Sequence, residues 1–172
     1  DRNGRILEEV KPKSGKQVIT SEQAFIISSI LSDPEARAEV FGTRSALSVG
    51  GRTVAVKTGT TNDKRDNWTV GYTPDIMVAT WVGNNDNSPM NQYVTSGVTG
   101  AAPVWNKIMR YILDNGLDVR LSPTKKIHTF IQPDEVVQKK CYFGRVEFFL
   151  KGTEDGINCR LYTVTPSPKP AH

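Results

Sequence analysis

Between residues 53 and 82 the chain changes its hydrophobic period: 53–58, 68–73 and 76–82 are short runs of β-branched and aromatic residues broken by Gly, Asn, Pro and Asp. These runs predict three strands. Thr73-Pro74-Asp75 leaves so little chain between the last two that they are expected to turn back on each other as an antiparallel hairpin. Residues 76–82 are apolar on both faces, so helices are expected to cover the sheet on both sides. Two segments can supply them. Thr20, Ser21, Glu22 and Gln23 match a capping box ahead of an apolar face of Phe25, Ile26, Ile27, Ile30 and Leu31, with a stop near Asp33-Pro34. A second helix starts at Pro103 and carries Val104, Trp105, Ile108, Met109, Ile112 and Leu113 on one face until Asn115-Gly116. A short helix over 35–41 and a loop rich in Gly and Ser precede the sheet. Trp68 and Trp81, on strands, are read as core. The expected fold is α+β: an antiparallel sheet flanked by helices.

The composition suits such a fold. With 172 residues, 37% hydrophobic and 23% charged, the chain resembles globular domains and not disordered or collagenous ones. Its longest strongly apolar run, 76–82, is far short of the roughly 20 residues a membrane-spanning helix needs. The net charge of +4 favours anionic surfaces without choosing among them. There is no RNA-binding aromatic motif, zinc-finger spacing or long basic block, so nucleic acid is not an expected partner.

No cofactor and no metal are expected. Cys141 and Cys159 form no Cys-x-x-Cys pair, and His128 and His172 have no partner at ligand spacing. The two cysteines either close a disulfide in an oxidising compartment or are unrelated buried thiols. The segment 84–87 lacks the Gly and distal Glu of a calcium loop and reads as a polar turn within a long polar loop over 84–100.

Asp1-Arg2-Asn3-Gly4 is a turn signal followed by Arg5, Ile6, Leu7 and Glu8, which read as the second arm of a hairpin whose first arm is missing. The expected organisation is a main unit over 1–120, a small β-rich appendage over 121–162, with alternating patterns at 130–137 and 145–150 and both cysteines, and a flexible or extended proline-rich tail over 163–172.

Function becomes readable at Lys57-Thr58-Gly59-Thr60. Period two puts the Thr58 and Thr60 side chains on one face, where two hydroxyls can clamp an anionic terminus. Gly59 between them lets a substrate backbone lie against the strand edge, and Lys57 supplies fixed positive charge. Hydrogen bonds to charged groups contribute about 1.5–3 kcal/mol each, enough to set the register of a peptide ending in a free carboxylate. A surface strand running into a glycine turn would carry the same three letters, so the flanks decide. Lys57 to Asp63, Asp66-Asn67-Trp68, Val70-Gly71-Tyr72-Thr73-Pro74, Ala79-Thr80-Trp81-Val82-Gly83 and Gly100-Ala101-Ala102-Pro103-Val104-Trp105 together resemble the third-motif region of class A penicillin-binding proteins. Val18 to Ala24, Val40 to Thr43, Phe130, Pro133, Cys141, Gly152-Thr153-Glu154 and Cys159 look like the same family.

The resemblance implies a β-lactamase/transpeptidase-like fold and a D,D-transpeptidase that cross-links peptidoglycan stem peptides ending in D-Ala-D-Ala through a serine acyl-enzyme, and that β-lactams acylate. It implies Lys57 as the motif's charge, Thr58, Gly59 and Thr60 as substrate-binding residues, and the Thr60 backbone N–H as an oxyanion donor. It also implies an extracytoplasmic site, a membrane anchor N-terminal to this segment and, as partner, the preceding part of the same domain. The family's nucleophile motif Ser-x-x-Lys and its Ser-x-Asn motif precede Lys-Thr-Gly, and neither stands in residues 1–56. The one Ser-x-x-Lys, Ser122 to Lys125, lies on the wrong side and beside Pro123, and is assigned no role. The nucleophile is therefore expected to be absent from this chain. The alternatives are a non-catalytic scaffold or wall-binding module on the same fold, and a serine β-lactamase or carboxypeptidase relative.

Overall fold

A computed structural model describes residues 1–9, 15–91, 96, 98–115, 128–141, 144–156 and 159. The match at 122–125 and the tail over 163–172 lie outside the described residues. The element order is α1 (Ser21–Ser32), α2 (Pro34–Phe41), β1 (Ala55–Thr60), β2 (Asp66–Tyr72), β3 (Met77–Gly83), α3 (Ala101–Asn115), β4 (Val136–Lys140) and β5 (Val146–Leu150).

Local chemistry sets the helix ends. The Gln23 N–H donates to Thr20 Oγ1 at 3.3 Å while the Thr20 N–H donates to Gln23 Oε1 at 3.0 Å, the reciprocal pair of a capping box. Asp33 stops α1 and caps α2, its Oδ1 accepting from the N–H groups of Glu35 and Ala36 at 2.8 and 3.1 Å, with Pro34 in the first helical position, where no N–H is needed. The opening turn forms through a Gly4 N–H bond to the Asp1 carbonyl at 3.0 Å. Residues 5–9 do not continue it as a strand: Ile6 and Leu7 are exposed and no described strand lies beside them, which corrects the expected hairpin arm.

The three strands form an antiparallel sheet in the order β1-β2-β3. The β1–β2 register pairs Ala55 with Tyr72 and Thr60 with Asn67; the β2–β3 register pairs Asp66 with Gly83 and Tyr72 with Met77. β1 lies two residues later than the sequence pattern suggested, because the ladder continues past Gly59 to a Thr61 N–H bond with the Asp66 carbonyl at 3.0 Å. At the other end, Thr73 and Ile76 are taken up by the turn, the Thr73 N–H donating to the Ile76 carbonyl at 2.9 Å.

One face of the sheet carries Val56, Thr58 and Thr60, then Asn67, Thr69 and Gly71, then Val78, Thr80 and Val82. α3 packs here. Trp105 is fully buried over Gly71 and donates Nε1–H to the Val78 carbonyl at 3.1 Å. Around it Leu47, Val49, Val54, Val56, Val78, Ala102, Met109 and Leu113 form the core. The expected stripe on α3 is narrower than read: Val104 and Ile108 are exposed, and the buried line runs Ala101, Ala102, Trp105, Met109, Leu113. Asn106 draws the glycine- and serine-rich loop onto α3 by donating to the carbonyls of Ala46 and Ser48 at 2.9 and 2.8 Å, which buries Leu47 and Val49.

The opposite face is covered only in part. α1 lies against β1, and Ser28 Oγ shares a 2.9 Å hydrogen bond with Tyr72 Oη. The helix does not reach across to β3, so Trp68 and Trp81, paired across the strands, are 46% and 41% exposed and Met77 is exposed too. A helix lies on each side of the sheet as expected, α3 on one face and α1 on the other, but the reading of the two tryptophans as core is corrected. The apolar face of α1 is corrected too: Ile27 and Ile30 are exposed, and the buried residue is Ser28.

β4 and β5 form a separate two-stranded sheet, with Val136 opposite Leu150 and Lys140 opposite Val146. The strand begins six residues later than the alternating run at 130–137, since Pro133 has no N–H for a ladder and its carbonyl accepts the Val136 N–H in a turn at 3.0 Å. Beyond the hairpin, Cys141 and Cys159 are bonded, with Cα atoms 4.6 Å apart. The small sheet meets the main unit through Phe148, edge-on to Phe25 with ring centres 5.2 Å apart, and through an Arg145 Nη2 to Asp33 Oδ2 ion pair at 2.7 Å.

Candidate functional site

β1 is the edge strand of its sheet among the described residues, and its hydrogen-bond alternation decides what that edge offers. Because the Thr61 N–H faces Asp66, the odd-numbered residues of β1 bond to β2, and the N–H and C=O groups of Val56, Thr58 and Thr60 point away from it. The Thr60 N–H therefore faces the open edge. Lys57, on the face opposite the two threonines, curls to the same edge and donates Nζ–H to the Thr58 carbonyl at 2.6 Å. A cation, a backbone donor and a hydroxyl thus lie within four consecutive residues of one strand.

The predicted site residues sit as follows. Thr58 and Thr60 share the face toward α3; Thr58 is 9% exposed, whereas Thr60 is exposed at the end of the strand. Gly59 has open space on its own face, since an added Cβ would meet only Trp68 Cβ at 3.9 Å. Lys57 is exposed.

Two polar residues beside the motif were not singled out by the sequence reading. Asn67, fully buried, stands opposite Thr60 and donates Nδ2–H to Thr60 Oγ1 at 2.9 Å. Thr69 stands opposite Thr58 in a row that continues to Thr80, and its buried Oγ1 has no hydrogen-bond partner among the described residues. The only signal for either was register: on an antiparallel pair, the positions facing the motif are fixed once the turn between the strands is placed.

Chemically, such an edge suits an extended chain ending in a carboxylate. A peptide can add to the free N–H and C=O groups as a further strand, while the ammonium and hydroxyl receive its anionic end. The same N–H can receive an oxygen that gains negative charge at an adjacent carbonyl.

No protein-family model matches the chain. The chain is 36% identical over 117 residues to penicillin-binding protein 1A of Neisseria meningitidis serogroup B, a match covering 66% of this chain and 14% of the relative. It is 33% identical over 162 residues to penicillin-binding protein 1A of Aquifex aeolicus, covering 92% of this chain and 21% of the relative. The fold is similar to the crystal structure of penicillin-binding protein 1A from Haemophilus influenzae, with a TM-score of 0.63 and 26% identity over 84% of this chain and 22% of that one. The chain spans about a fifth or less of the length of these relatives.

Proposed function

Because the chain belongs to the class A penicillin-binding protein family, we propose that it forms one wall of the site of a peptidoglycan D,D-transpeptidase, on a β-lactamase/transpeptidase-like domain. The observation that carries the reading is the free edge of β1, where the Thr60 N–H points outward and the Lys57 ammonium reaches the Thr58 carbonyl, two residues from the Thr60 hydroxyl.

In this reading a stem peptide ending in D-Ala-D-Ala lies along β1. Its terminal carboxylate is held by the hydroxyls of Thr58 and Thr60 under the charge of Lys57, and Gly59 leaves the strand surface clear. A serine from another part of the longer protein attacks the penultimate D-alanine carbonyl. As the new C–O bond forms, the carbonyl oxygen becomes negative and the Thr60 N–H receives it. The C–N bond then breaks, the departing D-alanine amine takes a proton, and an amine of a neighbouring strand replaces the serine. A β-lactam, which carries a carboxylate and a strained amide, enters the same clamp and stays on the serine. The work is extracytoplasmic, with the anchor in another part of the longer protein.

The test is Lys57→Ala in the longer natural protein that carries this segment. The second-order rate of acylation by benzylpenicillin is expected to fall about tenfold or more, with a thermal midpoint within about 2 °C of wild type, because Lys57 is exposed and, among the described residues, bonds only a neighbouring carbonyl. Unchanged acylation, or a loss matched by a loss of stability, overturns the reading and leaves Lys57 structural.

A further inference from the structure

We infer that Asn67 is a positioning residue that presets the Thr60 hydroxyl as a donor to the substrate carboxylate; this rests on the assignment of that carboxylate to Thr60. Every hydrogen-bonding group on the Asn67 amide has a partner in view. Nδ2 donates to Thr60 Oγ1 at 2.9 Å and to the Ser96 carbonyl at 3.1 Å, and Oδ1 accepts the Ala101 N–H at 2.6 Å. The orientation of the amide is therefore fixed: a backbone N–H can only donate and a carbonyl can only accept, so Oδ1 must face Ala101 and the NH2 group must face Ser96 and Thr60.

The consequence falls on Thr60. A hydroxyl has one proton and ordinarily rotates to suit its surroundings. With a lone pair committed to the Asn67 N–H, Thr60 Oγ1 has its own proton to give, and no described residue accepts it. Thr60 is exposed at the end of the strand and its hydroxyl is fixed as a donor before an anion arrives, so little reorganisation is left for the binding step.

The arrangement is held from three sides. Thr60 lies on β1, Ser96 on the loop that leads to α3, and Ala101 at the first turn of α3. Gly100 completes it, since a Cβ there would stand 2.5 Å from Asn67 Oδ1. An aspartate at 67 would keep the bond to Ala101 and reverse the one to Thr60: its second oxygen would accept the hydroxyl proton and withdraw it from the substrate.

The experiment compares acylation of the longer natural protein by benzylpenicillin and by its methyl ester, which lacks the carboxylate charge. The acid-to-ester rate ratio within one preparation does not depend on the folded fraction, so a purely structural defect leaves it unchanged. Thr60→Val is expected to reduce the ratio about tenfold or more. Asn67→Asp and the neutral Asn67→Ser, too short to reach Thr60, are expected to reduce it as well and to add no further reduction in a Thr60→Val background. Asn67→Ser serves if the buried charge of Asn67→Asp prevents folding. If Thr60→Val lowers the ratio and the Asn67 variants do not, or if they lower it equally without the Thr60 hydroxyl, the positioning role is overturned. If Thr60→Val itself leaves the ratio unchanged, the carboxylate assignment falls and takes the inference with it.

Discussion

Gly71 lies directly beneath Trp105: a Cβ built on the glycine would stand 2.3 Å from Trp105 Cζ2 and 2.9 Å from the Ala55 carbonyl oxygen. The helix that carries the indole can therefore approach the sheet only because β2, near its C-terminal end, has no side chain at position 71 on that face. This contact seats α3 on the three strands, and with it the Ala101 N–H that holds Asn67.

Gly71→Ala is accordingly expected to destabilise the fold by about 1–3 kcal/mol or more, the usual cost of forcing atoms into a packed core. Gly59→Ala, whose Cβ would meet only Trp68 Cβ at 3.9 Å, is expected to change stability by less than about 1 kcal/mol. Urea unfolding of the two variants beside wild type measures both. Equal midpoints for the two variants would show that the Trp105 contact does not limit the approach of α3.

Thr69 gives a prediction of opposite sign. Its buried hydroxyl has no partner among the described residues, and an unsatisfied buried polar group costs about 1–3 kcal/mol. Thr69→Val keeps the branched shape and removes the hydroxyl, so it is expected to stabilise the protein by about 1 kcal/mol. A lowered unfolding midpoint would mean that the hydroxyl is satisfied in solution.

Asp75, in the β2–β3 turn, binds the His128 ring Nδ1 through Oδ1 and accepts the His128 backbone N–H at Oδ2, both at 2.5 Å. The side-chain bond, then the backbone bond, holds its carboxyl below the ordinary carboxylate range. A carboxyl that binds its proton less readily folded than unfolded stabilises the fold fully above the unfolded value of about 3.9, and that contribution is lost as pH falls through the lowered folded value. The stability difference between wild type and Asp75→Asn is thus expected to be present at neutral pH and to shrink below about pH 4. Guanidinium unfolding at a series of pH values checks this, and a difference that does not shrink as pH falls below about 4 would refute it.

The sequence was readable where the signal is local. The capping box at Thr20 and Gln23, the stop at Asp33-Pro34 and the turn at Thr73 each involve groups a few residues apart, so their geometry follows from the residues themselves. The mixed architecture of helices and antiparallel sheet followed from the same signals. The burial of each face was not readable in this way. Phe25, Ile26, Ile27, Ile30 and Leu31 look like one apolar surface, yet Ser28 is the residue buried on α1 and Ile27 and Ile30 are exposed. Ser28 is held there by hydrogen bonds to the Ala24 carbonyl and to Tyr72, 44 positions away.

The sequence by itself determined the strand-forming runs, the helix caps and the Lys57-Thr58-Gly59-Thr60 motif, because these depend on backbone preferences and on residues adjacent in the chain. The tertiary structure alone decided that the Thr60 N–H faces an open edge, that Asn67 commits its amide to Thr60, Ser96 and Ala101, and that Trp68 and Trp81 are left half-covered. The physical reason is that an edge, a hydrogen-bond direction and an exposed face are properties of neighbours. The neighbours of Thr60 come from positions 67 to 101, which chain order separates and only the pairing of β1 with β2 and the seating of α3 bring together.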